Sequence, residues 1–455
     1  MIVMKFGGTS VESRDAITRV ISIVKQYEHR RPIVVVSAMG KTTNKLLAAA
    51  HEAAAGRRDQ ALSIVDELRG HHLTHGLTLA GSAAADLDRF IRTHFEWLDE
   101  LVKGLSVVGE LSDRSKDAIA SVGERLSSLV VSFAFRAAGL PTQHVDARRV
   151  IVTDDRFTQA QVLFEETYAA LAENVRLVAE HSVVVMGGFI GATKQGVTTT
   201  LGRGGSDYSA AIVGAAVNAE EIQIWTDVDG MLTADPRIIP GGHRVKSISF
   251  AEAAEMAFFG AKVLHPATVL PAVEKNIPVL ILNSKRPEVD GTRITLEAAS
   301  CANPVKSISC KRDITIVSIR STRMLMAHGF LRRIFEIFDR YETSVDMLST
   351  SEVSVSLTLD NTENLAAIRE EVCQFAEVTV EEKHAIVCLV GENIRHTPGI
   401  AGRAFQVLAG KNIVMISQGA SLLNLGFVVA EKDLADAVSA LHKEFFSTLD
   451  PAVFA

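Results

Sequence analysis

Thr198-Thr199-Thr200-Leu201-Gly202-Arg203-Gly204-Gly205-Ser206-Asp207-Tyr208-Ser209 decides how this chain is read, because it is a glycine-rich turn running straight into an apolar helix over residues 210–219. Three glycines in four positions let backbone N–H groups come close to an anion, and the helix that follows adds partial positive charge at its N-terminus. The stretch therefore reads as a seat for a phosphate or a carboxylate. As a plain tight turn it would need Ser206 or Asp207 as its N-cap. Arg203 inside the turn can fork onto a carboxylate, and Asp207 can position a cation brought from elsewhere.

The segments on either side supply a frame for that turn. Residues 1–4 are a short apolar run expected as a buried strand, and Lys5-Phe6-Gly7-Gly8-Thr9-Ser10 follows at its end. Ser10 is the expected cap of a helix that carries Ile17, Val20, Ile21 and Val24 on one face. The unit then repeats, with a strand at residues 32–36, a polar turn from Ser37 to Asn44 and a second helix from Lys45 onward. Strands that are apolar throughout and alternate with helices indicate a parallel sheet covered on both faces. Ligands of such sheets bind at the carboxyl ends of the strands, where these turns lie.

Residues 45–140 are helix-rich and are expected to lie over the sheet edge. Within them Glu124 is a lone acid beside Gly123, a pattern whose default is a solvated surface position. Further strands are expected at residues 182–186, 222–225 and 278–283, the last closing the domain, with residues 250–273 helical. His265 before Pro266 reads as a structural histidine at a helix end. Between about residues 286 and 312 the pattern breaks into Pro, Gly, Asp and Ala-Ser stretches, which marks a boundary.

The charge balance excludes some classes of partner. The 455 residues carry 47 Lys and Arg against 54 Asp and Glu, a formal net charge of −7 with no long basic run, which argues against broad nucleic-acid binding. The first residues lack the basic segment and long apolar core of a signal peptide, and no stretch is read as approaching the roughly 18 apolar residues that cross a bilayer. Cys301, Cys310, Cys373 and Cys388 have neither scaffold density nor Cys-x-x-Cys spacing, so reduced, mostly buried thiols are expected. The expectation is a cytoplasmic protein with no membrane partner.

Beyond the boundary lies an internal repeat. Gly329-Phe330-Leu331-Arg332-Arg333-Ile334-Phe335 matches Gly399-Ile400-Ala401-Gly402-Arg403-Ala404-Phe405 at a constant offset of 70, each copy preceded by an apolar strand and followed by a helix and further strands. The copies are expected as a pair of ferredoxin-like βαββ modules that pack side by side. At the same offset Asp346 and Glu352 correspond to Ile416 and Leu422, so only the first copy can hold a cationic ligand with carboxylates.

Four separated motifs now carry a family resemblance. Lys5-Phe6-Gly7-Gly8-Thr9-Ser10, Thr200-Leu201-Gly202-Arg203-Gly204-Gly205-Ser206-Asp207, Trp225-Thr226-Asp227-Val228 and Phe259-Gly260-Ala261-Lys262-Val263-Leu264-His265-Pro266 together resemble aspartate kinase of the amino-acid kinase superfamily. The type resembled is the monofunctional, lysine-sensitive one, and the C-terminal repeats look like its two ACT domains. The resemblance implies a three-layer α/β/α catalytic domain with a mainly parallel sheet over residues 1–298. It implies an effector-binding module over 313–382, and a pairing module over 383–455 joined by 303–312. The implied reaction moves the ATP γ-phosphoryl group to the β-carboxylate of L-aspartate, giving 4-phospho-L-aspartate, the first step toward lysine, threonine and methionine, with feedback inhibition by L-lysine.

Residue roles follow from the same resemblance. Lys5 stabilises the transferring phosphoryl and Asp207 holds Lys5. Arg203 grips the α-carboxylate of aspartate and Glu124 takes its α-amine, while Ser37, Thr43 and Phe189 match other substrate-side positions. Gly7 and Gly8 lend backbone amides. Thr226, Asp227, Thr233, Asp235, Arg237 and Lys262 match nucleotide positions, with Leu232 standing where the family more often has an aromatic residue. Magnesium is expected to arrive with the nucleotide rather than in a fixed metal cage. Met324, Gly329, Phe330, Leu331, Ser344, Val345, Asp346 and Glu352 match the effector pocket. Pairing between chains into a homodimer or homotetramer through the repeats is expected because each copy has an edge to cover. The alternatives are a related kinase acting on glutamate and a catalytically inactive amino-acid sensor. The repeats and the Lys5 motif favour aspartate, and a sensor would not need Lys5, Arg203 and Asp207 together.

Overall fold

The computed structural model describes residues 1–261, 264–321 and 328–455. It divides into two compact units, residues 1–231, 246–250 and 264–298 in the first and residues 232–245, 251–263 and 299–455 in the second. The strands of the first unit are β1 (Ile2–Phe6), β2 (Pro32–Val36), β3 (Thr142–Val145), β4 (Val152–Thr153), β5 (Val183–Gly187), β6 (Ile190–Thr193), β7 (Thr198–Thr200), β8 (Ile222–Thr226), β9 (Ser247–Ser249), β10 (Val279–Asn283) and β11 (Thr292–Thr295). Eight of them form one sheet in the order β3-β5-β2-β1-β8-β10-β11-β9, and β4, β6 and β7 form a small second sheet. Within the large sheet every pairing is parallel except that of β10 with β11. The expectation that residues 278–283 close the domain is therefore corrected: β11 follows as an antiparallel neighbour, inside the stretch read as a boundary.

The helices of this unit are α1 (Arg14–Gln26), α2 (Thr42–Ala54), α3 (Arg58–Leu77), α4 (Ala84–Val108), α5 (Asp113–Ala137), α6 (Phe164–Leu171), α7 (Leu177–Ala179) and α8 (Gly205–Val217). Next come α9 (Phe250–Phe258), all but its first residue in the second unit, and α10 (Leu270–Glu274) in the first. Side chains alternate across a strand, so β1 sends Ile2, Met4 and Phe6 to one face, where they share a continuous core with residues of α1 to α5. Burying a side chain the size of Phe6 contributes about 1.5–3 kcal/mol. Lys5 points to the opposite face, on which α8 packs. Helices on both faces make the three layers.

Two expectations need correction. The helices between residues 42 and 137 do lie at one edge of the large sheet as expected, with α5 packed on β3, β5 and β2 and with α2, α3 and α4 packed on α5 and one another. α5 is long and apolar enough to cross a bilayer, which the count of uninterrupted apolar residues missed, but 83% of its apolar window is buried inside the unit. It is a core helix. The cap of α1 is Ser13, whose hydroxyl accepts from Ala16 N, because Gly8–Ser10 forms a separate 3-10 turn that buries Ser10 against Ser284 at 2.7 Å.

The second unit carries β12 (Ser307–Arg320), β13 (Leu348–Thr350), β14 (Ser354–Leu359), β15 (Glu377–Val390), β16 (Ile413–Gln418) and β17 (Asn424–Ala430). Its C-terminal helices are α11 (Phe330–Arg340), α12 (Leu365–Val372), α13 (Ile400–Val407) and α14 (Leu434–Phe445). The six strands form one antiparallel sheet in the order β13-β14-β12-β15-β17-β16. The repeat read in the sequence appears as matching helix starts: Gly329 caps α11 at φ 85° and Gly399 caps α13 at φ 84°. Only glycine takes that left-handed cap without strain. β12 and β15 are each 14 residues long and pair along their lengths, Ser307 with Val390 at one end and Arg320 with Glu377 at the other. The register shifts between Lys311 and Ile316.

Candidate active site

The glycine-rich turn follows β7, and α5 fixes it in place. Asp117 of α5 is buried and accepts from Thr158 N, Thr200 N and the Thr200 hydroxyl, the last at 2.7 Å. Burial is the stronger influence on Asp117 and raises its pKa despite these bonds. Gly202 and Gly204 take φ of 75° and 70°, and Gly204 itself is the N-cap of α8, with no side-chain cap bond. Ser206 and Asp207 are thus not the cap; Gly205 N and Asp207 N donate to the Gly202 and Gly204 carbonyls at 3.1 and 3.0 Å, which leaves the Ser206 N–H, with no backbone acceptor among the described residues, available to an anion. A Cβ on Gly205 would lie 2.6 Å from the Phe189 ring, so the turn closes against that ring only because the position is glycine.

Phe189 is itself strained, at φ 65°. Its N–H donates to the Ser209 hydroxyl at 2.9 Å, and its carbonyl accepts from Leu201 N. Ser209→Ala is expected to destabilise the first unit by about 1–2 kcal/mol through the unpaired amide. Urea unfolding at matched conditions measures it, and an unchanged midpoint would show that the strain is held elsewhere.

Lys5, Gly8, Ser37, Lys41, Thr43, Asn44, Glu124, Phe189, Arg203, Ser206 and Asp207 line one cleft of about 390 Å³. Lys5 Nζ sits 2.7 Å from Asp207 Oδ1, with both side chains largely removed from water. A Cβ on Gly8 would fall 2.7 Å from the Gly40 carbonyl oxygen, so the backbone here can be approached closely only without a side chain. Arg203 is exposed and pairs with no acid among the described residues. Glu124 is 3% exposed; Oε1 accepts from Ala38 N at 3.2 Å, while Oε2 has no hydrogen bond of proper geometry among the described residues. Burial pushes its pKa up to about 8, against the opposing pull of the Ala38 amide and the Thr43 hydroxyl.

All seven positions expected for catalysis and aspartate line this cleft. Lys41, Asn44 and Ser206 line it too and were passed over, although the polar turn after β2 and the glycine-rich stretch both contain them. Glu124 overturns its default as a solvated acid, since α5 runs through the core and Gly187 leaves the space it needs: a Cβ there would lie 3.2 Å from Glu124 Cβ.

Residues 1–283 match the amino acid kinase family model and residues 387–445 an ACT domain model. Aspartokinase 1, chloroplastic, of Arabidopsis thaliana is 40% identical over 468 residues, covering 98% of this chain and 80% of that protein. The lysine-sensitive aspartokinase 3 of Escherichia coli is 38% identical over 465 residues, covering 98% and 99%. This chain belongs to the aspartokinase family. The crystal structure of E. coli aspartokinase III in complex with aspartate and ADP aligns with a TM-score of 0.86 at 37% identity, over 98% of this chain and 100% of that one. The complex of the same enzyme with lysine and aspartate aligns at 0.84, over 98% and 99%.

The other positions matched to aspartokinase lie as follows. In the first unit, Thr226 ends β8 and donates to Asp227 at 3.3 Å, and Gly7 lies beside Lys5 Nζ. In the second, Thr233 bonds His442 Nε2 at 2.9 Å, and Asp235 forms a bidentate pair with the exposed Arg237 that lowers the Asp235 pKa. Lys262 and Met324 lie outside the described residues. Gly329, Phe330 and Leu331 form the start of α11, Ser344, Val345 and Asp346 precede β13, and Glu352 is exposed in the turn before β14. Asp346 is not an open surface acid: its Oδ1 accepts from Lys311 Nζ at 2.6 Å.

Proposed function

We infer that this aspartokinase phosphorylates the β-carboxylate of L-aspartate from ATP and is inhibited by L-lysine held in the first C-terminal module. The observation that carries the reading is one cleft presenting a desolvated Lys5–Asp207 pair, an Arg203 that pairs with no acid among the described residues and a buried carboxylate with one oxygen lacking a hydrogen bond of proper geometry among them, a set that fits an amino acid beside a phosphate. A carboxylate with a pKa of about 4 is already ionised at neutral pH, so the acceptor needs no general base. Arg203 orients the substrate α-carboxylate and Glu124 its α-ammonium, leaving the β-carboxylate oxygen to form the new bond to phosphorus as the bond to ADP breaks. Lys5 and the amides of Gly7 and Gly8 meet the charge on the transferring group. Thr226 and Asp227 serve the nucleotide. Magnesium bound to the nucleotide would neutralise phosphate charge.

The test is ADP release with MgATP and L-aspartate, repeated with L-lysine, L-threonine and L-methionine added singly. No release by folded protein would overturn the reading. Lysine is the effector because the E. coli relative is named lysine-sensitive and was solved with lysine. Asp346→Ala is expected to raise the lysine concentration for half-inhibition at least about tenfold with basal activity kept; an unchanged value would move the effector elsewhere.

The functional modules we propose are residues 1–298 for catalysis, 313–382 for the effector, and 383–455 with 303–312 for pairing. Leu348, Val414 and Ile416 are exposed on the edge strands β13 and β16, which favours pairing of chains there. Ile416→Asp is expected to reduce the mass measured by light scattering to that of one chain, and an undiminished oligomer would place the contact on another surface. The four free cysteines suit the reducing cytoplasm.

A further inference from the structure

We propose that the Lys311 ammonium is a resident member of the effector site, holding one oxygen of Asp346 and leaving the other for the ligand's side-chain ammonium, so that Lys311 sets how tightly lysine binds. The proposal rests on the effector reading above. Lys311 lies on β12 at the start of the register shift, and its Nζ is 2.6 Å from Asp346 Oδ1 and 2.7 Å from Asp360 Oδ2. It also stands 5.4 Å over the Phe258 ring. The Asp346 side chain is only 5% exposed, and its Oδ2 is buried with no partner among the described residues.

A structural salt bridge does not account for that second oxygen. A buried carboxylate oxygen left unpaired is costly, and such groups in folded proteins have partners with few exceptions. Two carboxylates and one ammonium leave the cluster one negative charge in excess, which a single organic monocation would neutralise. Asp360 is 43% exposed, so it can keep Lys311 from the solvent side while the ligand takes Asp346. At the offset of 70 the second copy has Glu381, Ile416 and Ala430 in place of Lys311, Asp346 and Asp360. The whole triad belongs to the first copy alone.

Two ammonium groups on one carboxylate repel each other, so the resident lysine weakens its own ligand. Lys311→Met is expected to lower the lysine concentration for half-inhibition by about tenfold, whereas Lys311→Arg, which keeps the charge, stays near the parent. Asp360→Asn, at an exposed position that folding tolerates, is expected to raise it about threefold, because Lys311 then leans on Asp346 alone. The measurements are L-lysine inhibition of ADP release and L-lysine binding by calorimetry on the full chain, with activity in the absence of lysine as the control. Equal lysine affinity in parent, Lys311→Met and Asp360→Asn would overturn the proposal and leave the effector reading standing. A parent that neither binds L-lysine nor is inhibited by it would overturn both.

Discussion

Lys5→Met lowers the turnover of aspartate phosphorylation by about a thousandfold at saturating substrates, with the KM for aspartate changed less than about threefold. The expectation follows from where Lys5 stands. Its ammonium is the one cation on β1, it is 9% exposed, and Asp207 fixes it from the first turn of α8. A charge held in place before reaction costs no reorganisation when charge develops on the phosphoryl group, and a desolvated site gives that charge more effect than water would. Methionine keeps the apolar stem against the sheet and removes only the charge. Arginine at the same position does not restore the rate, since a planar fork cannot take the place of a compact ammonium between Asp207 of α8 and Gly7. Steady-state kinetics with a thermal melt of each variant checks the claim; a turnover within about tenfold of the parent would remove Lys5 from the chemistry.

Glu124 gives the second large effect, and it has a pH signature. With its pKa raised to about 8, the carboxyl is mostly protonated in the empty cleft at neutral pH, and receiving an ammonium requires it to lose that proton. Aspartate binding therefore strengthens as pH rises, up to about tenfold per unit, and levels off above about 8. Glu124→Gln removes this dependence and raises the KM for aspartate by about a hundredfold, the loss of one charged hydrogen bond in a buried place. Stability moves in the opposite direction. Between the ordinary carboxyl range and about pH 8 the folded chain holds a proton that the unfolded chain does not, so Glu124's contribution to stability declines as pH rises through that window. The glutamine variant is expected to melt higher than the parent at pH 8 and to match it in acid. KM profiles from pH 6 to 9, with calorimetry in buffers of different ionisation enthalpy, would show whether a proton leaves on binding; a flat parent profile would refute it.

What the sequence disclosed and what it withheld separate along physical lines. The glycine turn was legible because positive φ and close approach demand glycine, and Gly202, Gly204 and Gly205 announce both. β1, β2 and β5 were legible because wholly buried strands are apolar throughout. Glu124 was not, since nothing local distinguishes an acid inside a buried helix from one in water; the burial of α5 is set by contacts distant in the chain. Ser10 and Ser13 are both good caps, and the 3-10 turn at Gly8–Ser10 decided between them. The Lys311–Asp346 pair joins residues 35 positions apart, and no periodicity records it.

The pairing of β12 with β15 has a mechanical consequence. Two strands of 14 residues, each about 45 Å from end to end, run through both repeats as one beam. A regular ladder resists bending, so rotation of one repeat against the other concentrates where the hydrogen bonds lose step, between Lys311 and Ile316. Asp313 at φ 56° and Lys383 at φ 60° face that weak point from the two strands. The beam's compliance is thus located beside the ammonium that touches Asp346, and a ligand that draws on that carboxylate acts on the short segment most free to flex.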